Sequence, residues 1–161
     1  MKTATKRKVP QKKTSKKLAM PKVAVVCSLF NEEIVSGLMA GCLGYLEEQG
    51  IGRETVRVFE VPGAFEIPLV AQKVAQSGKF DGVIALGCVI RGDTPHFEFV
   101  SLAATMGVLQ AGLNTGVPIL FGVITVNDLA QAQERSGRDS FNKGCEAAMA
   151  LLDTLTTLET I

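Results

Sequence analysis

From Lys22 onward, apolar and polar positions fall into two alternating kinds of segment. Short β-branched apolar runs occupy residues 23–27, 55–61, 82–90 and 118–125, and each predicts a strand. Between and after them lie longer stretches with apolar residues at helical spacing: 33–49, 65–77, 98–115 and 141–158, with a shorter piece at 128–134. Runs such as VIALGCVI are apolar on both faces, which suits strands covered by helices on both sides. The alternation predicts right-handed crossovers, a four-stranded parallel sheet and a three-layer α/β/α sandwich.

Composition agrees and adds one asymmetry. At 161 residues, 47% hydrophobic and 20% charged, the chain suits one globular domain. Its net charge of +1 hides a division. Residues 1–22 carry nine Lys or Arg and no acid, whereas residues 23–161 carry eight basic and sixteen acidic groups, a balance of −8. Residues 1–21 have no periodicity and no aromatic residue, and are expected to form a disordered basic arm preceding a domain over 22–161. Nothing in the arm interleaves its charges with stacking or base-reading groups, so a solvated extension is expected and nucleic acid is not an expected partner apart from that arm.

Other classes fall away. The apolar runs reach about eight residues, well short of the roughly 18–20 that cross a bilayer, so no membrane partner is expected. The basic start is not followed by an apolar h-region, so no secretory signal is expected. Cys27, Cys42, Cys88 and Cys145 are widely spaced and accompanied by one histidine, which predicts free thiols in a reducing cytoplasm and no metal site. Phosphate-loop, dinucleotide, zincin and serine-hydrolase motifs are absent from the sequence.

In open α/β sheets ligands bind beyond the carboxyl ends of the strands, here the loops at 28–32, 62–65, 91–97 and 126–128. In the first, Phe30 either caps its own core or stacks on a flat ligand. In the second, Glu66 either serves the helix dipole or accepts bonds from ligand hydroxyls. The third, GCVIRGDTPHFEFV, says most: Gly92 is expected to give the turn freedom. Asp93 and Thr94 approach a helix N-terminus, a setting suited to phosphate. His96 is the only histidine. A lone histidine commonly serves structure, but imidazoles titrate near neutrality and this one stands beside the candidate phosphate nest, which favours proton transfer. After the fourth strand, Arg135, Lys143 and Arg138 are candidate phosphate cations.

The segments FNEEIV at 30–35, VPGAFEIP at 61–68, ALGCVIRGDTPHFEFV at 85–100, PILFGVIT at 118–125, QAQER at 131–135 and NKGCEAA at 142–148 resemble the lumazine synthases, in the family's order and spacing over roughly residues 23–158. The resemblance implies a flavodoxin-like fold and a transferase of riboflavin biosynthesis. That enzyme condenses 5-amino-6-(D-ribitylamino)uracil with 3,4-dihydroxy-2-butanone 4-phosphate, without metal or organic cofactor. It implies that Phe30 stacks on the pyrimidine. Ala64, Phe65 and Glu66 would hold the ribityl-uracil, with Cys88, Val89 and Ile90 lining it through their backbone. Asp93, Thr94 and Arg135 would bind the butanone phosphate, with Lys143 a further candidate, and His96 would transfer protons. Phe121 and Arg135 would come from a neighbouring subunit, since the family's site spans two chains.

It implies a homo-oligomer too: a pentamer at minimum, with decamer and 60-subunit shell left open and riboflavin synthase as a candidate associate. Departures bear on this last point. Leu29 stands where many relatives have Arg before the Phe, and VSLAATMG lacks an Asn that relatives often show. Residues 138–141 of GRDSFNKG differ from the segment common in shell-forming members without changing its length. The competing readings are a non-catalytic flavin- or lumazine-binding module, and a scaffold whose basic arms gather polyanions. The presence of both His96 and Arg135 favours the enzyme.

Overall fold

The computed structural model describes residues 19–139 and 141–161; most of the basic arm, and position 140 in the departing segment, lie outside the described residues. Four strands form one parallel sheet: β1 (Val23–Ser28), β2 (Val56–Val61), β3 (Gly82–Ile90) and β4 (Ile119–Val126), in the order β2-β1-β3-β4. The helices are α1 (Glu32–Glu48), α2 (Ile67–Gln76), α3 (His96–Thr115), α4 (Leu129–Ser136) and α5 (Lys143–Leu158), with one 3-10 turn at Ala64–Glu66. The register aligns Val23 with both Val56 and Gly82, and Val83 with Ile119.

Side-chain alternation splits the core in two. Val23, Val25, Cys27, Ile84, Leu86 and Ile124 point to one face, where Leu38, Cys42, Leu46 and Leu151 of α1 and α5 cover them. Ala24, Val26, Val83, Ala85 and Val123 point to the other, under Ile67, Ala71, Ala104 and Val108 of α2 and α3. This arrangement follows from handedness. The chain steps from β1 outward to β2, then back across β1 to β3 and onward to β4. Crossovers of one hand therefore put α1 on one face and α2 and α3 on the other. The three-layer sandwich expected from the pattern is what forms, and its strand order is that of the flavodoxin-like sheets.

Element limits shift at the ends for local reasons. The third helix begins at His96, two residues before the periodicity suggests, because Pro95 (φ −69°) already holds the backbone helix-like at the cap. Hence His96 and Phe97 belong to a helix rather than to a loop. The last helix begins at Lys143 instead of residue 141, because the Asn142 side chain caps it by accepting from the Gly144 and Cys145 amides. Gly144 is required by contact between helices: a Cβ there would overlap the Leu38 carbonyl oxygen of α1.

α3 carries two apolar stripes. Ala104, Val108 and Ala111 face the sheet and are buried. Phe99, Leu102, Met106, Leu109 and Leu113 recur at alternating steps of three and four along another face and are 54–72% exposed. That second stripe has the spacing of a coiled-coil seam.

Candidate active site

The strand order puts the site between β1 and β3. From β1 the chain turns to one side of the sheet, from β3 to the other, so the two loops diverge and a crevice opens beyond the strand ends. An open pocket of ≈ 690 Å³ lies there. Phe30 and Asn31 line it from the loop after β1, Pro62–Glu66 from the segment after β2, and Cys88–Ile90 from the end of β3. Gly92, Thr94 and His96 close the fourth side with Phe97, Phe99 and Val100 of α3.

Each wall has a structural cause. Phe30 is 70% exposed at the mouth, an apolar ring with no core of its own to cap. The next residue, Asn31, adopts the left-handed backbone (φ 58°), and its side-chain amide donates to the Cys88 carbonyl at 2.9 Å. Asparagine tolerates that conformation better than other residues with a Cβ. The bond pins the mouth of β1 to the end of β3. The Glu66 carboxylate lies over Gly63, where a Cβ would come within 3.1 Å of it. Glu66 belongs to the 3-10 turn, stands at the N-cap of α2 without a side-chain capping bond, and lines the pocket.

The loop after β3 runs into the N-terminus of α3, whose first amide groups have no partner within the helix. Thr94 and His96 stand beside them at the pocket wall, an arrangement suited to an anion with a proton carrier at its side. Asp93, in the same loop, is exposed and does not line the pocket. Gly92 is not in the left-handed region, and a Cβ there would meet nothing within 4 Å. Thus the turn does not draw on glycine's freedom as the sequence suggested; the residue leaves bare backbone at the pocket wall instead.

The remaining cations lie elsewhere. Phe121, Arg135 and Lys143 line a second pocket of ≈ 330 Å³ along β4, together with Glu146. Arg135 donates to the Gln131 carbonyl at 3.0 Å and meets Glu134 at 3.3 Å, while Lys143 pairs with Glu146 at 2.8 Å. Among the described residues none lines both pockets. One chain therefore gathers the suggested set into two groups: Phe30, Ala64, Phe65, Glu66, Cys88, Val89, Ile90, Thr94 and His96 in one, and Phe121, Arg135 and Lys143 in the other. Arg138, the third candidate cation, is exposed and lines neither.

Burial pushes the Cys42 thiol up to about 12, with nearby Cys145 adding to the shift, and pushes the Cys88 thiol up to about 11. Cys88 lines the pocket as a neutral thiol at neutral pH and supplies no thiolate nucleophile. All four cysteines are free. Among the described residues no three His, Cys, Asp or Glu groups come together as a metal site, and no helix is long and apolar enough to cross a membrane.

Sequence comparison bears on this arrangement as a whole. The profile of the 6,7-dimethyl-8-ribityllumazine synthase family matches residues 20–159. A protein of that name from Nitratidesulfovibrio vulgaris (strain DP4) is 51% identical over 138 residues, covering 86% of this chain and 88% of the relative. Its counterpart in Desulfovibrio desulfuricans shows the same identity and coverage. A 6,7-dimethyl-8-ribityllumazine synthase 1 from Caulobacter vibrioides is 48% identical over 141 residues, 88% of this chain and 92% of the relative.

Proposed function

Because the chain belongs to the 6,7-dimethyl-8-ribityllumazine synthase family, we propose that the pocket between β1 and β3 is where its reaction takes place. The enzyme condenses 5-amino-6-(D-ribitylamino)uracil with 3,4-dihydroxy-2-butanone 4-phosphate. The products are 6,7-dimethyl-8-ribityllumazine, phosphate and water. The observation that carries the assignment of the site is the convergence of an exposed aromatic ring, a carboxylate, bare backbone and the single histidine on one crevice at the switch point.

In this reading Phe30 covers the pyrimidine ring, and the backbone of Cys88–Ile90 hydrogen-bonds its edge. Ala64 and Phe65 flank the ribityl chain, and Glu66 accepts from its hydroxyls. Thr94, the backbone amide of Asp93 and the amides opening α3 hold the phosphate, with Arg135 and Phe121 reaching in from a neighbouring subunit and Lys143 beside them. The amine attacks the ketone and water leaves to give an imine. Phosphate is then eliminated, and ring closure onto the carbonyl so unmasked expels a second water. Every step moves a proton, and His96, next to the phosphate, is placed to carry several of them.

The exposed seam on α3 supports self-association. Five large apolar side chains at coiled-coil spacing bury themselves against equivalent helices when copies meet around a common axis. A ring of at least five subunits, as the family resemblance implies, satisfies the seam and lets the β4 pocket of one chain face the crevice of the next.

Mixing both substrates with the pure protein tests the reaction: lumazine absorbance and fluorescence should appear faster than in buffer alone, and a rate equal to that background would sink it. Within the site, Arg135→Ala should raise KM for the butanone phosphate about tenfold or more, as expected for a lost charge-assisted phosphate contact. An unchanged KM in steady-state assays would remove Arg135 from the phosphate site.

A further inference from the structure

We propose that Arg91 is a positioning residue for the phosphate: it fixes the loop that carries Thr94 and leads into His96 at the start of α3, and it keeps the Glu98 carboxylate from opposing the incoming dianion. The inference rests on assigning that loop to the butanone phosphate.

Arg91 is the first residue after β3, and its amide donates to the Val126 carbonyl at 2.9 Å, the last bond joining the ends of β3 and β4. Its side chain repeats the link one residue further on, where Nε donates to the Asn127 side-chain oxygen at 3.1 Å. Asn127 is itself held, because its amide donates to the Gln131 side chain at 2.9 Å, in the first turn of α4. Nη1 reaches the other way, to Glu98 at 2.5 Å in the first turn of α3. The guanidinium carbon lies 4.4 Å from the Phe97 ring centroid, and Phe97 lines the pocket.

One planar group thus meets three partners, two on α3 and one in the turn before α4, and spans the loop that opens α3. Lysine cannot reproduce this, since an ammonium has neither the fork nor the flat face. The helix thereby tied to the loop, α4, is the one that carries Arg135.

Charge gives the second half of the role. The segment from Arg91 to Glu98 holds two carboxylates, Asp93 and Glu98, around the amides proposed to receive a phosphate. The Arg91 guanidinium holds the Glu98 carboxyl below the usual carboxylate range, so Glu98 is fully ionised during catalysis. Paired, it presents little net charge to the substrate; unpaired, it repels a dianion. Both groups are about half exposed, so the pair contributes little to fold stability, and its effect is on where charge sits.

Steady-state KM values for both substrates test this in Arg91→Ala, Arg91→Lys and the double variant Arg91→Ala/Glu98→Gln. Elution volume and circular dichroism confirm that each is folded. Arg91→Ala should raise KM for the butanone phosphate about tenfold while leaving KM for the ribitylaminouracil within about twofold. Arg91→Lys should recover only part of the loss. Adding Glu98→Gln to Arg91→Ala should recover about threefold, a rescue that a merely structural role for Arg91 does not yield.

Should the alanine variant fold poorly, the lysine variant carries the same test. Equal changes in both KM values, or no rescue by Glu98→Gln, would overturn the inference. If this happens while Arg135→Ala still raises the phosphate KM, the site reading stands and only the role of Arg91 falls. If Arg135→Ala is silent too, the phosphate assignment falls with it.

Discussion

Replacing His96 by alanine should lower kcat by about 10²-fold or less, the magnitude expected when a general acid–base group is lost. A rate above the uncatalysed condensation should persist. The side chain stands at the first position of α3 inside the pocket wall, next to the amides proposed for the phosphate, and it is the only imidazole in the chain. What remains after its removal is the crevice itself. Holding two reactants in register can be worth about 7–11 kcal/mol in favourable cases, and none of that depends on the imidazole. The KM values for both substrates should change little if, as proposed, His96 acts on protons rather than on the phosphate or the ring. Complete loss of turnover in a folded His96→Ala protein would contradict this division of labour.

The largest effect on stability is expected at Asn142, which no catalytic step uses. The residue is 3% exposed and joins three elements. Its Nδ2 donates to the carbonyls of Gly37 in α1 (2.9 Å) and Gly137 (2.8 Å), with Ser136 at 3.2 Å. Its Oδ1 accepts from the amides of Gly144 (2.9 Å) and Cys145 (3.1 Å) at the start of α5. Asn142→Ala removes the cap, at about 1 kcal/mol, and leaves buried carbonyls and amides unpaired, at about 1–3 kcal/mol in all. A loss of about 3 kcal/mol is therefore expected, read as a fall in the urea midpoint at fixed protein concentration. Asn142→Asp keeps the cap but turns a donor into an acceptor facing three carbonyls, so it should not restore the midpoint. A midpoint within experimental error of the unmutated protein would show that water replaces the bridge without cost.

These two residues mark what can and cannot be seen in a sequence. His96 was legible because a lone titratable group after a strand-like run has few roles open to it, and the strand order then placed it at the crevice. The two central strands were legible for a similar reason: residues 23–27 and 82–90 are apolar on both faces, as a doubly covered strand requires. Asn142 was not legible. It reads as one more polar residue in GRDSFNKG, and its partners Gly37 and Gly144 lie on helices whose approach is a property of the packed fold. The same holds for Asn31, whose bond to the Cys88 carbonyl spans 57 residues, and for the bond between Arg91 and Asn127, which spans 36.

The seam on α3 is a different case. Phe99, Leu102, Met106, Leu109 and Leu113 sit in plain view at heptad spacing, but the helix is apolar on its sheet-facing side as well, so the two stripes merge when only the pattern is read. Separating them took the burial of Ala104, Val108 and Ala111 beneath the helix. The family resemblance already assigned Phe121 and Arg135 to a neighbouring subunit, although nothing in their spacing along the chain separates them from His96; in the folded chain they line different pockets.

That separation makes subunit complementation the most direct measurement of whether the site is completed by a second chain. His96→Ala damages the crevice, and Arg135→Ala damages the β4 pocket of the same chain. Dissociated and reassembled together in equal amounts at random, the two variants should form intact sites at about a quarter of their interfaces, wherever an undamaged crevice meets a neighbour's undamaged Arg135. Assayed at low butanone phosphate, the mixed particles should approach about a quarter of the unmutated rate, far above either variant alone. A rate no higher than the mean of the two separate variants would contradict the shared site.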